Sequence, residues 1–428
     1  MNEIKEELHE IRDELRRDVR SVEDTLLTFV KWLIVAGVTG CVGGVVGTLF
    51  HVSVQWAAQL RVMHPWLLWL LPAGGLAIAA LYHICRMENT NTNAIIDSIH
   101  FGDDVPLLLV PCIYLATVVT HLFGGSAGRE GAALQIGGSL GCYIGRLFHL
   151  DEKDMRLATL CGMSAVFSAL FGTPLTATLF ALEVISVGVF YYSALVPCIT
   201  AALIAYGLSR LCGLAPTRFA LSAQPLTALL LVKTAGLAVV GSLMSILFCL
   251  TMHGTEHWLA KRVPNPFWRI ALGGAAIVGL TALVGNTDYN GAGMELISRA
   301  IEQGQASPLA FAAKLVFTAI TIGAGFKGGE VIPTFFIGAT LGCVVGPLLG
   351  LPAGFAAALG LICVFCGAVN CPIASIAMSV ELFGSGNLAY FSLACGLAYM
   401  LSGYFGLYSS QKILYSKLKA EFINIHAK

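Results

Sequence analysis

The segment Phe123-Gly124-Gly125-Ser126-Ala127-Gly128-Arg129-Glu130-Gly131 joins a long apolar run to a short one. Glycines and a serine just before a helix leave backbone N–H groups unpartnered, and the helix dipole makes that end electropositive. Such a turn is a ready anion site, yet Glu130 within it is itself an anion. A carboxylate that fills the site when ionised and leaves it when protonated is a gate linked to protons. The blander roles for Glu130 are capping its own helix or pairing with Arg129.

Duplication argues for the sharper role. Gly128-Arg129-Glu130 returns 200 residues later as Gly328-Gly329-Glu330, again opening a short apolar helix with Val331, Ile332 and Pro333. Glu330 is placed to relay protons towards Glu130; the competing role is an ion pair with Lys327. A shift of 198 then aligns Gly162, Val166-Phe167, Pro174 and Glu183 with Gly360, Val364-Phe365, Pro372 and Glu381. Glu183 and Glu381, each nine residues past a proline, read as structural acids bonded to neighbouring backbone or polar side chains, with proton transfer as their second reading. In the same frame Asn91 falls loosely opposite Asn290.

The neutral stretch Asn89-Thr90-Asn91-Thr92-Asn93 offers amide donors that bind an anion without trapping it by charge. Tyr408, closing the last apolar run, can donate one hydrogen bond to an ion or serve as an interfacial anchor. His253, Glu256 and His257 match the His-x-x-Glu-His zinc-protease pattern, but they follow a spanning run and lack a convincing downstream acidic ligand. Cys363 and Cys366 stand alone in an apolar helix, as core residues do. No phosphate-binding Gly-x4-Gly-Lys loop and no Gly-x-Ser-x-Gly elbow occurs, so no cofactor is expected and transport must draw on ion gradients.

The elements that carry these residues follow from composition. With 57% hydrophobic and 12% charged residues and a mean hydropathy of +0.78, the 428-residue chain is unlike a soluble enzyme, in which about a quarter of residues are charged. Six Lys/Arg and nine Asp/Glu fall within residues 1–31, where Ile4, Leu8, Ile11 and Leu15 have helical spacing. An amphipathic helix lying on the membrane or a partner is expected there. Zero net charge and the lack of a basic stripe argue against nucleic acid, and neither a signal peptide nor a disulfide framework is evident.

Apolar runs near 32–50, 65–84, 105–123, 193–209, 227–252, 267–285, 308–324 and 386–408 are long enough to span a bilayer. The pieces 132–148, 157–171, 174–190, 333–350, 353–369 and 372–383 are cut by Gly and Pro, and several are too short to cross alone. Broken helices persist at bilayer depth only around protein or a water-filled cavity. The chain therefore divides into an N-terminal helix, 1–31, and two related halves, 32–215 and 216–428, with a substrate site where the halves meet.

Gly128-Arg129-Glu130-Gly131 with Gln135 and Gly137-Gly138, the Gly162 to Glu183 stretch and the second Gly/Glu/Pro block together resemble the CLC anion channel and transporter family over most of residues 32–410. The resemblance implies an all-α polytopic membrane protein with two inverted repeats and re-entrant helices. It further implies a homodimer with one anion pathway per subunit, both chain ends in the cytoplasm, and Glu130 as the external gate.

Chloride-transporting members usually have Gly-Ser-Gly-Ile-Pro and Gly-x-Phe-x-Pro loops, where this chain has Asn91 and Gly-Gly-Glu330-Val-Ile-Pro. Chloride/proton exchangers commonly carry a second acid directly after the one matching Glu183, where this chain has Val184. These departures look like the fluoride/proton antiporter branch, in which Glu330 takes over the inner proton duty and Tyr408 coordinates the anion. The implied anion site is Asn91, Gly128, Arg129, Gly131, Val331, Ile332 and Tyr408. Ile332 stands where that branch often has Thr, leaving its backbone N–H as the donor. The lack of long domains after Ile413 is similar to bacterial members, so a bacterial inner membrane is expected. The alternatives are a chloride/proton antiporter, a passive chloride channel and, in a different class, the metalloprotease.

Overall fold

The computed structural model describes residues 2–88, 90–102 and 104–428, the side chains of 2–11 and 13–17 excepted. Asn89, and the apolar stripe of Ile4, Leu8, Ile11 and Leu15, lie outside the described residues. Sixteen α-helices are present among the described residues, and they fall into two series of eight. The first series is α1 (Asn2–Met63), α2 (Leu71–Cys85), α3 (Thr92–Phe101), α4 (Leu109–Phe123), α5 (Glu130–Leu147), α6 (Glu152–Phe171), α7 (Pro174–Glu183) and α8 (Leu195–Leu211). The second is α9 (Ala228–Arg262), α10 (Pro266–Val284), α11 (Met294–Ser298), α12 (Ala310–Ala324), α13 (Val331–Val345), α14 (Ala353–Val369), α15 (Pro372–Phe383) and α16 (Leu388–Leu401).

Packing repeats as well as order. Helix α5 lies on α6 and α13 on α14, and the long helices α1 and α9 each pack against the sixth and eighth helices of their own series. Small residues make this close approach possible in lipid. A Cβ on Gly137 would lie 2.3 Å from the Gly162 carbonyl oxygen, and one on Gly338 would lie 2.3 Å from that of Gly360. The aligned glycines are thus the crossing points of the α5–α6 and α13–α14 pairs.

The halves meet about a local two-fold. Gly128 N–H donates to Gly329 O at 2.6 Å and Gly329 N–H to Gly128 O at 2.9 Å, an antiparallel bridge between the two glycine loops. The first turns of α5 and α13 therefore start side by side, as inverted repeats require. The non-helical stretch between α8 and α9 falls where the halves join.

Seven helices among the described residues are long and apolar enough to cross a membrane. Three runs expected to span alone do not form such helices: α4 and α12 have 15 residues and α16 has 14. Conversely, Glu152–Phe171 and Val331–Leu349, drawn from pieces read as short, are among the seven. The reason lies at the helix ends. Gly124 (φ +87°) and Gly325 (φ +110°) adopt left-handed backbone that stops α4 and α12, so that the glycine loops follow at once.

Helix α1 runs through residue 31 without a break, and residues 18–31 are exposed except for the ion pair of Lys31 with Asp154. At the other end the chain forms strands that hydropathy did not signal. β1 (Ser186–Val187) pairs in parallel with β2 (Lys412–Tyr415), which pairs antiparallel with β3 (Phe422–His426). Gln411 Nε2 donates to Val184 O (2.9 Å) and Val369 O (3.0 Å), anchoring the chain just beyond Tyr408.

Candidate functional site

Glu130 is the first residue of α5 and is fully buried. Its carboxylate turns back across the two-fold, where Oε2 accepts the N–H of Ile332 at 3.2 Å in the first turn of α13. Its other oxygen has no hydrogen-bond partner among the described residues. Space for the carboxylate exists because both bridge residues are glycine. A Cβ on Gly128 would come within 2.1 Å of Oε2, and one on Gly329 within 2.7 Å.

The acid of the first half therefore sits at the helix N-terminus of the second, where unpaired N–H groups face an anion. Gly131 closes the other side, a Cβ there lying 3.0 Å from Gly328 O. Arg129 caps α5 through its backbone position and forms no ion pair with Glu130 among the described residues, and its Nε is buried without a partner. Val331 begins α13 fully buried. Ile332 contributes its amide, while its side chain is buried in the core.

Glu330 immediately precedes α13 but faces elsewhere. It borders a cavity of about 390 Å³, shared with Asn91, Gln135, Glu256, Lys327 and Tyr408. Its Oε2 is buried with no hydrogen-bond partner among the described residues, as is the Tyr408 hydroxyl. Lys327 forms no salt bridge with Glu330 among the described residues, its Nζ lying instead over the Tyr82 ring at 4.3 Å from the centroid. Asn91 caps α3, its Oδ1 accepting from Ala94 N at 3.1 Å, and it borders the cavity. Ser410 holds the Tyr408 loop to α3 by donating twice, from N to Asn93 Oδ1 (3.2 Å) and from Oγ to Asp97 Oδ2 (2.7 Å).

The residues thus fall into two groups. Asn91, Glu330 and Tyr408 meet at the cavity, whereas Gly128, Arg129, Gly131, Val331 and Ile332 surround Glu130 behind its inner end. Tyr408 lines the cavity together with Glu330. The Glu130 carboxylate occupies the Ile332 N–H at the start of α13.

The two-fold stops at Asn91. Its loose counterpart Asn290 is buried and donates from Nδ2 to Gly124 O at 2.9 Å, so it serves as a strut between loops. Glu183 and Glu381 are also structural, bonded to helix starts in the opposite half. Two residues were not singled out by spacing. Gln135 borders the cavity and donates to Thr92 Oγ1 at 3.2 Å. Lys314, fully buried, donates to the carbonyls of Gly291 (2.5 Å) and Tyr289 (3.2 Å). A lone lysine inside the run 308–324 was the available signal for Lys314, since a charge at bilayer depth is kept for a purpose.

In the zinc-protease match, His253 is hydrogen-bonded through Nε2 to Gly406 O (2.9 Å), and no group of three metal-ligating side chains occurs among the described residues. Cys363 and Cys366 are buried in the core.

Comparison with known proteins agrees with this architecture. The family profile described as voltage gated chloride channel matches residues 74–403. A chloride/fluoride channel protein of Pseudomonas syringae pv. tomato is 38% identical over 403 residues, covering 92% of this chain and 89% of the relative. The crystal structure of a CLC-type fluoride/proton antiporter superposes with a TM-score of 0.87 at 34% identity, covering 90% of this chain and 98% of that one. A slow cyanobacterial Cl⁻/H⁺ antiporter shares the fold, with a TM-score of 0.74 at 20% identity, covering 87% and 94%. A fold of inverted halves, a duplicated glycine loop pairing across them and a family profile that spans most of the sequence lead to one assignment: the chain belongs to the CLC family of anion channels and transporters.

Proposed function

We propose that this protein is a proton-coupled anion antiporter that exports fluoride in exchange for protons. The observation that carries the reading is the Glu130 carboxylate seated on the Ile332 N–H at the start of α13, with Glu330 on the open cavity beyond it. An anion and the ionised carboxylate compete for the same donors, so only one of them is held there at a time. A proton arriving at Glu130 removes its charge and frees the donors for the anion. When the anion leaves, the carboxylate returns as its proton passes to Glu330. The two movements are thereby locked in opposite senses.

Fluoride is small and strongly hydrated, so its entry requires several aimed donors to replace water. The first-turn amides of α13, the NH₂ of Asn91 and the Tyr408 hydroxyl are the donors proposed. Glu330, Val331 and Ile332 occupy the loop in place of the residues usual in chloride transporters. The fluoride/proton antiporter whose structure superposes on this chain supports the same choice of ion. An inward proton gradient would then expel fluoride that had entered the cell as neutral HF.

All the site residues come from one chain, so each subunit of a homodimer would hold its own pathway. The cavity is assigned to the cytoplasmic face, as are both termini, in a bacterial inner membrane whose lipids surround the apolar helices. Residues 1–31 would form the cytoplasmic leader of the first half.

The test is a flux measurement in liposomes loaded with fluoride. Fluoride efflux is expected to acidify the interior and to proceed uphill when driven by a proton gradient. Efflux with no proton movement under any gradient would overturn exchange and leave the passive channel, a reading favoured by the name of the 38% identical relative. Equal efflux of fluoride and chloride would leave the chloride/proton antiporter.

A further inference from the structure

Glu256 is an acid used by neither the gate nor the anion site. It lies near the end of α9, where that helix passes α12 so closely that a Cβ on Gly323 would fall 3.1 Å from the Glu256 backbone nitrogen. Glu256 borders the same cavity as Glu330, is exposed, and makes no hydrogen bond or salt bridge among the described residues. Glu88, the other acid on the cavity wall, is bonded to His83 Nδ1 at 2.5 Å.

On the same cavity, Glu330 has a buried carboxylate oxygen with no hydrogen-bond partner among the described residues. The intervening space is polar and large enough for several waters. Lys327 feels both carboxylates, and Glu330 feels Glu256 as well as Glu130.

We propose that Glu256 is the proton port of the cavity, exchanging protons with Glu330 through water and with solution at the mouth. The proposal rests on the proton-coupled reading above. The step is balanced: the Glu330 carboxyl gives its proton to a cavity water, and that water passes a proton on to the Glu256 carboxylate. Glu330 is left ionised, and Glu256 then releases the proton to solution. Reversal loads the relay.

Other titratable or polar side chains line the same cavity as Glu256. They are Lys327 and Glu330 from the loop before α13, Arg269 from α10, Glu88 from the segment after α2, Tyr408 from the loop after α16, and His253 one turn earlier on α9. The glutamate of an apparent zinc motif thereby acquires a function that needs no metal.

The experiment compares wild type, Glu256→Gln, Glu256→Asp and Glu256→His in liposomes, measuring fluoride and proton flux together, with fluoride binding to each purified protein measured by calorimetry. Glu256→Gln is expected to lower both fluxes at least tenfold while fluoride binding stays within twofold of wild type. Glu256→Asp and Glu256→His, which restore a titrating group with opposite charges, are expected to recover at least half of the rate near neutral pH. Wild-type rates and coupling ratio in Glu256→Gln would overturn the port and leave exchange standing. Loss of rate in Glu256→His equal to that in Glu256→Gln would overturn it in favour of a fixed negative charge. A wild-type protein that moves fluoride without protons would instead overturn the exchange reading itself.

Discussion

Glu183 and Glu381 cap helices in each other's half of the chain. Glu183, at the end of α7, accepts the N–H groups of Ile373 (3.2 Å) and Ala374 (2.9 Å) in the first turn of α15. Glu381, near the end of α15, accepts those of Leu175 (3.0 Å) and Thr176 (2.8 Å) in the first turn of α7, and the Thr176 hydroxyl at 2.5 Å. Two antiparallel helices thus lock at both ends, each carboxylate satisfying donors left open after a helix-starting proline.

These bonds predict a stability effect separate from transport. Glu183→Gln and Glu381→Gln each keep one acceptor but lose the charge, at a cost of about 1–3 kcal/mol. Lower melting temperatures are expected in both, with the fluoride-to-proton ratio unchanged. A changed ratio in Glu183→Gln would mean that this acid carries protons.

Glu130→Gln tests the gate directly. The amide cannot release a proton, and it is a weaker occupant of the α13 donors. Fluoride flux is expected to persist while proton flux falls below about a tenth of wild type, as loss of a proton-transfer group does in general. Retained coupling would remove Glu130 from the proton path.

Gly329→Ala tests the seat of the carboxylate. The new Cβ would lie 2.6 Å from the backbone nitrogens of both Glu130 and Gly131 and 2.7 Å from Glu130 Oε2. Backbone at a helix start cannot yield as a flexible side chain would, so the carboxylate must leave the Ile332 N–H. Coupled flux is expected to fall at least tenfold, and wild-type flux would show that this seat is not used in turnover.

Tyr408→Phe removes a buried hydroxyl that has no protein partner. If its partner is the anion, apparent fluoride affinity should fall about tenfold, or about 1.4 kcal/mol. The hydroxyl's removal relieves an unsatisfied polar group in the empty protein, so thermal stability should hold or rise. An unchanged fluoride affinity would exclude Tyr408 from coordination.

Much of this architecture was legible without coordinates because duplication leaves its trace in spacing. The recurrence of Gly-x-Glu and of Gly162, Pro174 and Glu183 at nearly constant distance marked two halves, and the glycine loops marked the ends of broken helices. Hydropathy could not divide the runs correctly, since α4 and α12 end where glycine adopts positive φ and not where apolar residues cease. Nor could it find the C-terminal strands: β2 is joined in parallel to Ser186 and Val187, more than two hundred residues away, and β3 adds to β2.

The amino-acid order alone determined that the chain is a membrane protein of two halves with an acid at each glycine loop, because composition and periodicity are local and additive. Which half each acid serves was decided only by the tertiary structure. Glu130 reaches Ile332, Glu183 reaches Ala374, and Asn91 and Asn290 part company, because an inverted two-fold brings helix starts from opposite halves face to face. The fate of Glu256 was decided in the same way: a helix passing the second loop makes it a wall of the Glu330 cavity, a relationship that no spacing along the chain records.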